Sequence, residues 1–463
     1  MAGMLILLLT YAHWIPAWSN DFFSLKSFNF AESVRKALVP APADTLQQVA
    51  EQLDVEGETK PMVSFIRGLA ERKQTGQGSL RVAYFGDSII EGDLITSKLR
   101  QQLQLNYGGS GVGLVPITSI VNEFRKTIKH RFSRNWETLS FMNRGNGITP
   151  LGMIGYTFIP RNYYYTESVV SVPVQPAYSD TLSPDTSKLP ATRTRKETQR
   201  NYLGGPAWVE YAGVDVPGGA VDLRHVRLFY SHAQTNSQVV VYWDDGPPQT
   251  RYLSKAGGVQ MLDLSPSAPV KKIRVEFNPA DPIHVYGMSF DEPEGVFVDN
   301  LSVRGFSGMN LDAIPAEYLR GFQQHLNYDL IVLQYGENVS HADVRDYSFY
   351  RRGMIKSIQH LQAAMPGVPI LIVSAHDRSV RQNGVFQTSP DIPILVSTQS
   401  GFAVETGSAF WNMFNAMGGL NSMPQYVQAS PPLANLDYTH FTRAGADKIA
   451  LMLYKVLTTG QSD

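Results

Sequence analysis

The sequence predicts an α/β domain built on a parallel sheet and interrupted by a long β-rich insertion. Three observations predict it. A short apolar run, Arg81-Val82-Ala83-Tyr84-Phe85, leads at once into Gly86-Asp87-Ser88 and a helix-compatible segment at 95–105. Strand, tight turn, then helix is the opening of a parallel sheet. That rhythm stops from about 116 to 294, where β-branched and aromatic residues are broken by frequent turn signals, the pattern of a sandwich or barrel. It resumes at Val296-Phe297-Val298-Asp299-Asn300-Leu301 and continues to the end of the chain.

With 463 residues, the chain is long enough for two domains, and 43% hydrophobic against 17% charged residues describes a folded protein. Forty Lys and Arg stand against 41 Asp and Glu. That balance, without a long basic run, argues against nucleic acid as a partner. No cysteine is present, which excludes thiol nucleophiles, thiolate metal sites and disulfides. Residues 1–20 carry no Lys, Arg, Asp or Glu and contain the run MLILLLTYAHWIPAW. Such a run is a short export signal or a membrane anchor. The expectation is an exported protein, periplasmic or anchored to the membrane on that side.

The elements follow in order. After the anchor, residues 21–80 form a connecting segment, with helical patterns through Leu46, Val49, Ala50 and Leu53 and again at 62–72. The first part of the α/β domain occupies 81–115 and the insertion 116–294. Within the insertion, 221–230, 238–243 and 272–277 read as strands, and Asp244-Asp245-Gly246 as a hairpin-type turn. Residues 179–201, polar and holding Pro184 and Pro190, read as an exposed loop. The second part of the domain spans 295–463. It alternates helix 315–326, strand 330–334, helix 347–364 and strand 370–373. Helical stretches at 409–416 and 442–457 complete it.

Four short segments carry the chemistry, each weak alone. Gly86-Asp87-Ser88 follows the first strand, where a sharp turn lifts a hydroxyl to the ligand-binding edge of a parallel sheet. Arg304-Gly305-Phe306-Ser307-Gly308 and Tyr335-Gly336-Glu337-Asn338 follow the next two strands of that domain. A glycine there exposes a backbone N–H, and an asparagine offers a side-chain amide to an oxyanion, although turn-making and capping are the plainer uses. Asp437-Tyr438-Thr439-His440 precedes the final helix. Two intervening residues let the carboxylate accept from one imidazole nitrogen while the other faces a serine. What sets these segments apart is their order and their common place at the ends of α/β elements.

The blocks FGDSIIEGD, VRGFSGMN, QYGENVS and DYTHFTRAG resemble those of the SGNH (GDSL-like) hydrolases. The resemblance covers about 81–113 and 296–457. It implies a three-layer α/β/α domain with a parallel sheet, Ser88 as nucleophile, His440 as general base and Asp437 as its orienting partner. It further implies an oxyanion hole of the Ser88 N–H, the Gly308 N–H and the Asn338 amide. Gly308 is preferred to Gly305 because it follows a small residue. Where the family often has an acidic residue after the asparagine, this chain has Val339. A β-rich insertion between the first two blocks resembles the Ape-type bacterial peptidoglycan O-acetylesterases, whose insert is a carbohydrate-binding-like β-sandwich. The segments YGGSGVGLVP and AFWNMFNAMGG are similar to that group as well. The expected activity is hydrolysis of O-acetyl groups on a cell-envelope glycan, peptidoglycan first. An O-acetyltransferase using the same acyl-enzyme and a non-catalytic glycan-binding protein are the alternatives.

Other motifs call for less. Gly108 to Gly113 is glycine-rich but matches no phosphate-binding pattern and reads as a structural turn. His376-Asp377-Arg378, near the site, reads as a surface ion pair, with contact to substrate as the alternative, and His341 as a rim or solvated residue. No histidine–carboxylate set has metal-ligand spacing, and no cofactor is expected. Tyr163, Tyr164, Tyr165, Trp208 and Trp243 are either sandwich core or sugar-stacking platforms.

Overall fold

The computed structural model describes residues 62–144, 147–173 and 192–459. The expected anchor, the helix through Leu46 to Leu53 and residues 174–191 lie outside them. Among the described residues no helix is long and apolar enough to cross a membrane.

Helix α1 (Val63–Thr75), strand β1 (Ser79–Gly86) and helix α2 (Leu94–Tyr107) open the chain. The β-rich stretch then supplies β2 (Gly111–Val115), β3 (Lys129–Phe132), β4 (Trp136–Ser140), β5 (Tyr156–Pro160), β6 (Tyr163–Pro173), β7 (Thr192–Tyr202) and β8 (Ala207–Ala212). It goes on through β9 (His225–Ser231), β10 (Gln238–Trp243), β11 (Gln249–Tyr252), β12 (Gln260–Asp263), β13 (Lys272–Phe277) and β14 (His284–Asp291). The α/β alternation returns with β15 (Gly295–Ser302), α3 (Ala316–Leu326), β16 (Leu330–Gln334), α4 (Ser348–Ala364) and β17 (Ile370–Val373). A hairpin of β18 (Ser379–Gln382) and β19 (Val385–Thr388) precedes α5 (Ile392–Thr406) and β20 (Ala409–Trp411). Helices α6 (Met413–Ala416), α7 (Ser422–Gln428) and α8 (Arg443–Thr459) close the described chain.

Five strands form one parallel sheet in the order β15-β1-β16-β17-β20. Its strands are largely apolar because both faces are covered, Arg81 of β1 and Asp299 and Asn300 of β15 being buried exceptions. The side-chain alternation sorts them. Ala83, Phe85, Leu301, Ile331, Leu333 and Phe410 join the core under α3, α4 and α5. Val82, Tyr84, Val298, Val332, Leu371 and Trp411 join the core under α1, α2 and α8. Truncating a fully buried leucine such as Leu333 to alanine in such a core costs roughly 2–5 kcal/mol. In chain order the sheet reads 2-1-3-4-5, so strands β15 and β16 leave the sides of β1 in opposite directions. That reversal is the switch point at which ligands bind in open α/β sheets.

The inserted strands make two antiparallel sheets. One runs β11-β10-β13-β8-β3; the other runs β12-β9-β14-β5-β4, with β2 also paired to β14. Val209, Val241 and Val275 of the first face Leu228, Val285 and Met288 of the second in a shared core. The second sheet is buried on its other face too. Phe229 and Tyr286 pack on Phe322 of α3, and Tyr286 meets Tyr318 edge-on at 5.8 Å. The sandwich is thus part of the helix layer on that side. Cutting it out would strip α3 of its packing. Buried charges bind the junction as well: Arg81 at the start of β1 reaches Asp291 of β14 (2.6 Å) and Asp299 of β15 (2.8 Å), and Arg227 of β9 also holds Asp291. Removing one member of such a network leaves an unpaired buried charge, typically a loss of about 3–5 kcal/mol.

Three elements differ from the sequence reading. Residues 192–201, read within an exposed loop, lie in β7, paired along its length with β6. Its sequence TRTRKETQRNY alternates no apolar face, so pattern alone cannot register it. Residues 409–411, read as helical, are the edge strand β20, fixed by pairing to β17. Strand β2 falls in the glycine-rich stretch read as a turn. Its glycines let it approach the sheet: a Cβ on Gly111 would stand 2.2 Å from the Phe290 carbonyl oxygen.

Candidate active site

The four sequence blocks meet at the switch point. Strand β1 ends at Gly86, and Gly86 approaches so closely that an added Cβ would lie 2.8 Å from Ile90 and 3.1 Å from the Gln334 carbonyl. Asp87 follows, buried, with Oδ1 accepting from the Ile89 N–H at 3.0 Å, a local turn that holds the Ser88 backbone. Ser88 is partly exposed, and its Oγ lies 3.1 Å from Nε2 of His440.

His440 is held by the loop before α8. Tyr438 adopts a left-handed φ of 55°, which folds the chain back so that Asp437 reaches the histidine three residues on. Asp437 Oδ2 accepts from His440 Nδ1 at 2.8 Å, and Oδ1 accepts from the backbone N–H groups of Thr439 and His440 at 3.0 Å each. Burial works against the charge on Asp437, but the hydrogen bonds from His440 and these two N–H groups outweigh it and hold its carboxyl down at about 2. The hydrogen bond to Asp437 in turn raises His440 above its ordinary value, against the pull of burial. With Nδ1 committed to donating, Nε2 presents its lone pair to the Ser88 hydroxyl. Such a chain can take a proton from serine and hold the resulting imidazolium.

The other two blocks flank β1. Gly308, after β15, has φ 86°, and a Cβ there would strike the Tyr335 ring at 2.6 Å, so no side chain fits. Asn338, after β16, donates through Nδ2 to Asp87 Oδ2 at 2.7 Å and to the Phe306 carbonyl at 3.2 Å. It therefore joins the first block to the second, with both amide hydrogens on protein acceptors. Among the described residues the N–H groups of Ser88 and Gly308 take part in no protein hydrogen bond. Arg304 of the second block is paired with Glu91 of the first at 2.5 Å.

The insertion reaches this edge. Phe141 stacks on Phe306 with ring centres 4.0 Å apart. Phe124 is 68% exposed, its carbonyl contacts Arg443 at 3.5 Å, and its Cβ would be 3.4 Å from a Cβ on Gly92. No periodicity marks Phe124 in the sequence. Only its contacts with Gly92, four residues after Ser88, and Arg443, three residues after His440, single it out.

His376 and Asp377 are fully buried, not a surface pair. Asp377 Oδ2 accepts from the Met423 N–H at 2.7 Å at the start of α7, and a carboxylate there satisfies a helix-end donor. His376 touches Glu337, the acidic residue before Asn338, at 3.0 Å. His341 is exposed and faces Asp343 at 3.6 Å. The insert aromatics are already covered on one face: Tyr163 by Arg200 at 3.7 Å, Trp208 by Arg274 at 4.1 Å and Trp243 by Arg251 at 5.3 Å. Among the described residues no group of three or more His, Asp or Glu could hold a metal ion.

The chain aligns with the solved structure of a peptidoglycan O-acetylesterase over 86% of its own length and 96% of that chain, at 19% identity and a TM-score of 0.63. The fold is of the SGNH type. The alignment spans the inserted sandwich as well as the SGNH sheet, since it takes in nearly all of both chains. A family two carbohydrate esterase from Cellvibrio japonicus aligns over 72% of this chain and 98% of that one at 9% identity, TM-score 0.24. An acetylxylan esterase from Geobacillus stearothermophilus aligns over 36% and 73% at 14% identity, TM-score 0.27. No family model and no curated protein matches the chain.

Proposed function

We propose that the protein is a serine esterase that removes O-acetyl groups from a cell-envelope glycan, peptidoglycan first. The observation that carries this reading is the hydrogen-bonded chain Ser88–His440–Asp437 at the switch point of an SGNH fold. Support for the substrate comes from the fold shared with a peptidoglycan O-acetylesterase, sandwich included.

In this reading His440 Nε2 takes the hydroxyl proton as Ser88 Oγ bonds to the acetyl carbon. The carbonyl electrons move to oxygen, where the Ser88 and Gly308 N–H groups receive the charge. Asn338 adds its amide by exchanging the longer contact, to Phe306, for the oxyanion. Such donors are worth roughly 3 kcal/mol each in the transition state. The intermediate collapses, and the sugar oxygen leaves with the proton from His440. Water then attacks the acetyl-serine with His440 again as base, releasing acetate and restoring Ser88. The apolar run at 1–20 fits export to the compartment where such glycans lie.

The exposed side chain of Phe124, in contact with Gly92 and beside Arg443, is suited to lie against a sugar face at the rim. The test is acetate release from O-acetylated peptidoglycan, O-acetylated xylan and a chromogenic acetate. The reading expects peptidoglycan to be the best polymer. A preference for xylan would overturn the substrate, and no release from any of the three would overturn the esterase. Phe124→Ala should lower turnover of the polymer by about tenfold while sparing the small acetate, because only remote binding energy is lost.

A further inference from the structure

Behind His440 lies a second carboxyl–imidazole contact that the reaction above does not use. Glu337 and His376 are both buried, and His376 Nδ1 lies 3.0 Å from Glu337 Oε1. The other ring nitrogen, Nε2, lies 2.7 Å from the carbonyl oxygen of Thr439. A carbonyl only accepts, so Nε2 carries a hydrogen. In a neutral imidazole Nδ1 is then a bare acceptor, and a protonated Glu337 carboxyl, with Oε1 3.0 Å away, is the facing group that can donate to it. By strict geometry neither oxygen of Glu337, Oε1 included, has a hydrogen-bond partner among the described residues, although the His376 backbone N–H acts on the carboxyl and favours its charged form. An ionised carboxylate there would be a buried charge with too few donors for its lone pairs.

The held carbonyl is not an arbitrary one. It belongs to the peptide unit between Thr439 and His440, whose N–H donates to Asp437 Oδ1 at 3.0 Å. His376 thus grips one end of the peptide that carries His440, and Asp437 grips the other. We propose that Glu337, as a neutral acid, donates to His376 Nδ1, and that the two form a positioning pair that sets the His440 ring against Ser88.

The surroundings favour the neutral pair. Burial pushes Glu337 up to about 7 and Asp391 adds to it, while Arg378, the His376 backbone N–H and His440 oppose it. Burial likewise pushes His376 down to about 4; the hydrogen bond to the Thr439 carbonyl and Asp377 oppose this, and His440 and Arg378 add to it. The other titratable groups near Glu337 are Asp87, Tyr347 and Tyr350. Arg378 itself donates to Ser340, not to the Glu337 carboxyl.

The kinetic part of this inference rests on the proposed esterase activity; the protonation part does not. The full chain, labelled with ¹⁵N-histidine, is examined at pH 7 as wild type, Glu337→Gln and Glu337→Ala. Long-range ¹H–¹⁵N spectra should show His376 as the neutral Nε2–H tautomer in the wild type and in the glutamine variant, whose amide can still donate. Hydrolysis of a chromogenic acetate should stay within about threefold in Glu337→Gln and fall at least about 30-fold in kcat, with KM little changed, in Glu337→Ala. Wild-type turnover should also decline above neutral pH as Glu337 ionises, and Glu337→Gln should lack that decline. An imidazolium at His376 at pH 7 overturns the proposal, as does a glutamine variant as damaged as the alanine one. If the wild type cleaves no ester, the esterase reading fails, while the tautomer still decides the state of the pair.

Discussion

Two carboxyl–imidazole pairs lie within one loop of each other and are tuned in opposite directions. Asp437–His440 is half exposed, and its carboxylate accepts three hydrogen bonds. There the charged form of each partner is favoured: the acid goes down to about 2 and the histidine goes up. Glu337–His376 is buried, and its acid accepts no comparable set of donors. There the neutral forms are favoured, with the acid at about 7 and the histidine at about 4. Similar chemical groups at similar distances, 2.8 and 3.0 Å, are thus fitted for different work. Solvent and local N–H donors decide which pair can carry a charge and which can only hold a shape.

The sharpest way to break this contrast is to remove the base of the exposed pair. Ser88→Ala and His440→Ala should each lower kcat for a chromogenic acetate by about 10⁴-fold or more with the fold kept, as judged by circular dichroism. Near-wild-type turnover in either variant would take the chemistry away from this pair. Asp437→Asn comes next, with a loss of about 10³-fold, because the ring loses its orienting acceptor. Its pH profile sharpens the point. His440 must be neutral to act as base, so wild-type kcat/KM should fall as pH drops through a value above 6.5, the ordinary histidine value from which His440 is raised. With the carboxylate gone that rise is lost, and the residual acid limb should move to lower pH. An unmoved limb would mean that some other group sets it.

How much of this was legible without coordinates depended on burial. Strands β10, β13, β16 and β17 fall where the sequence reading put them, because each is an apolar or alternating run between clear turn signals. Helix α5 was not read at all: IPILVSTQSGFAVET buries Ile392, Leu395, Val396 and Phe402 without a polar face to mark a period. The four blocks were legible because each residue sits at an element end, and local spacing carries the Asp437–His440 pair. Glu337 and His376 were not paired, since they sit at the ends of two different strands. Their protonation follows from what surrounds them in space, which no local pattern records.

Asn338 tests whether the links between blocks matter beyond the exposed pair. Its amide ties Asp87 to Phe306 at rest and is called on by the oxyanion during reaction. Asn338→Ala should lower kcat about 100-fold with little change in KM. Asp87, pushed by burial to about 7 although hydrogen bonds from the Ile89 N–H and Asn338 pull it down, then loses one of its donors. A variant that changed KM alone would place Asn338 in ground-state binding.

The smallest effect concerns stability and separates the pairs without any substrate. In the unfolded chain between about pH 4.5 and 6.5, Glu337 is ionised and His376 is protonated. In the folded protein the proton resides on Glu337 instead, because one acid is raised to about 7 and the histidine is lowered to about 4. Both states bind one proton in this window, so the pair contributes no slope of stability with pH. Glu337→Gln removes the raised group and leaves the lowered one. The unfolded state then binds the extra proton, and stability is lost as pH falls from about 6.5 toward 4. A full shift of that size corresponds to roughly 3 kcal/mol, an upper figure. The difference in melting temperature between wild type and Glu337→Gln should therefore change by a few degrees between pH 7.5 and pH 5, the variant losing stability relative to wild type as pH falls. A constant difference across that range would show that His376 is not held neutral, and the contrast between the two pairs would fail at its buried end.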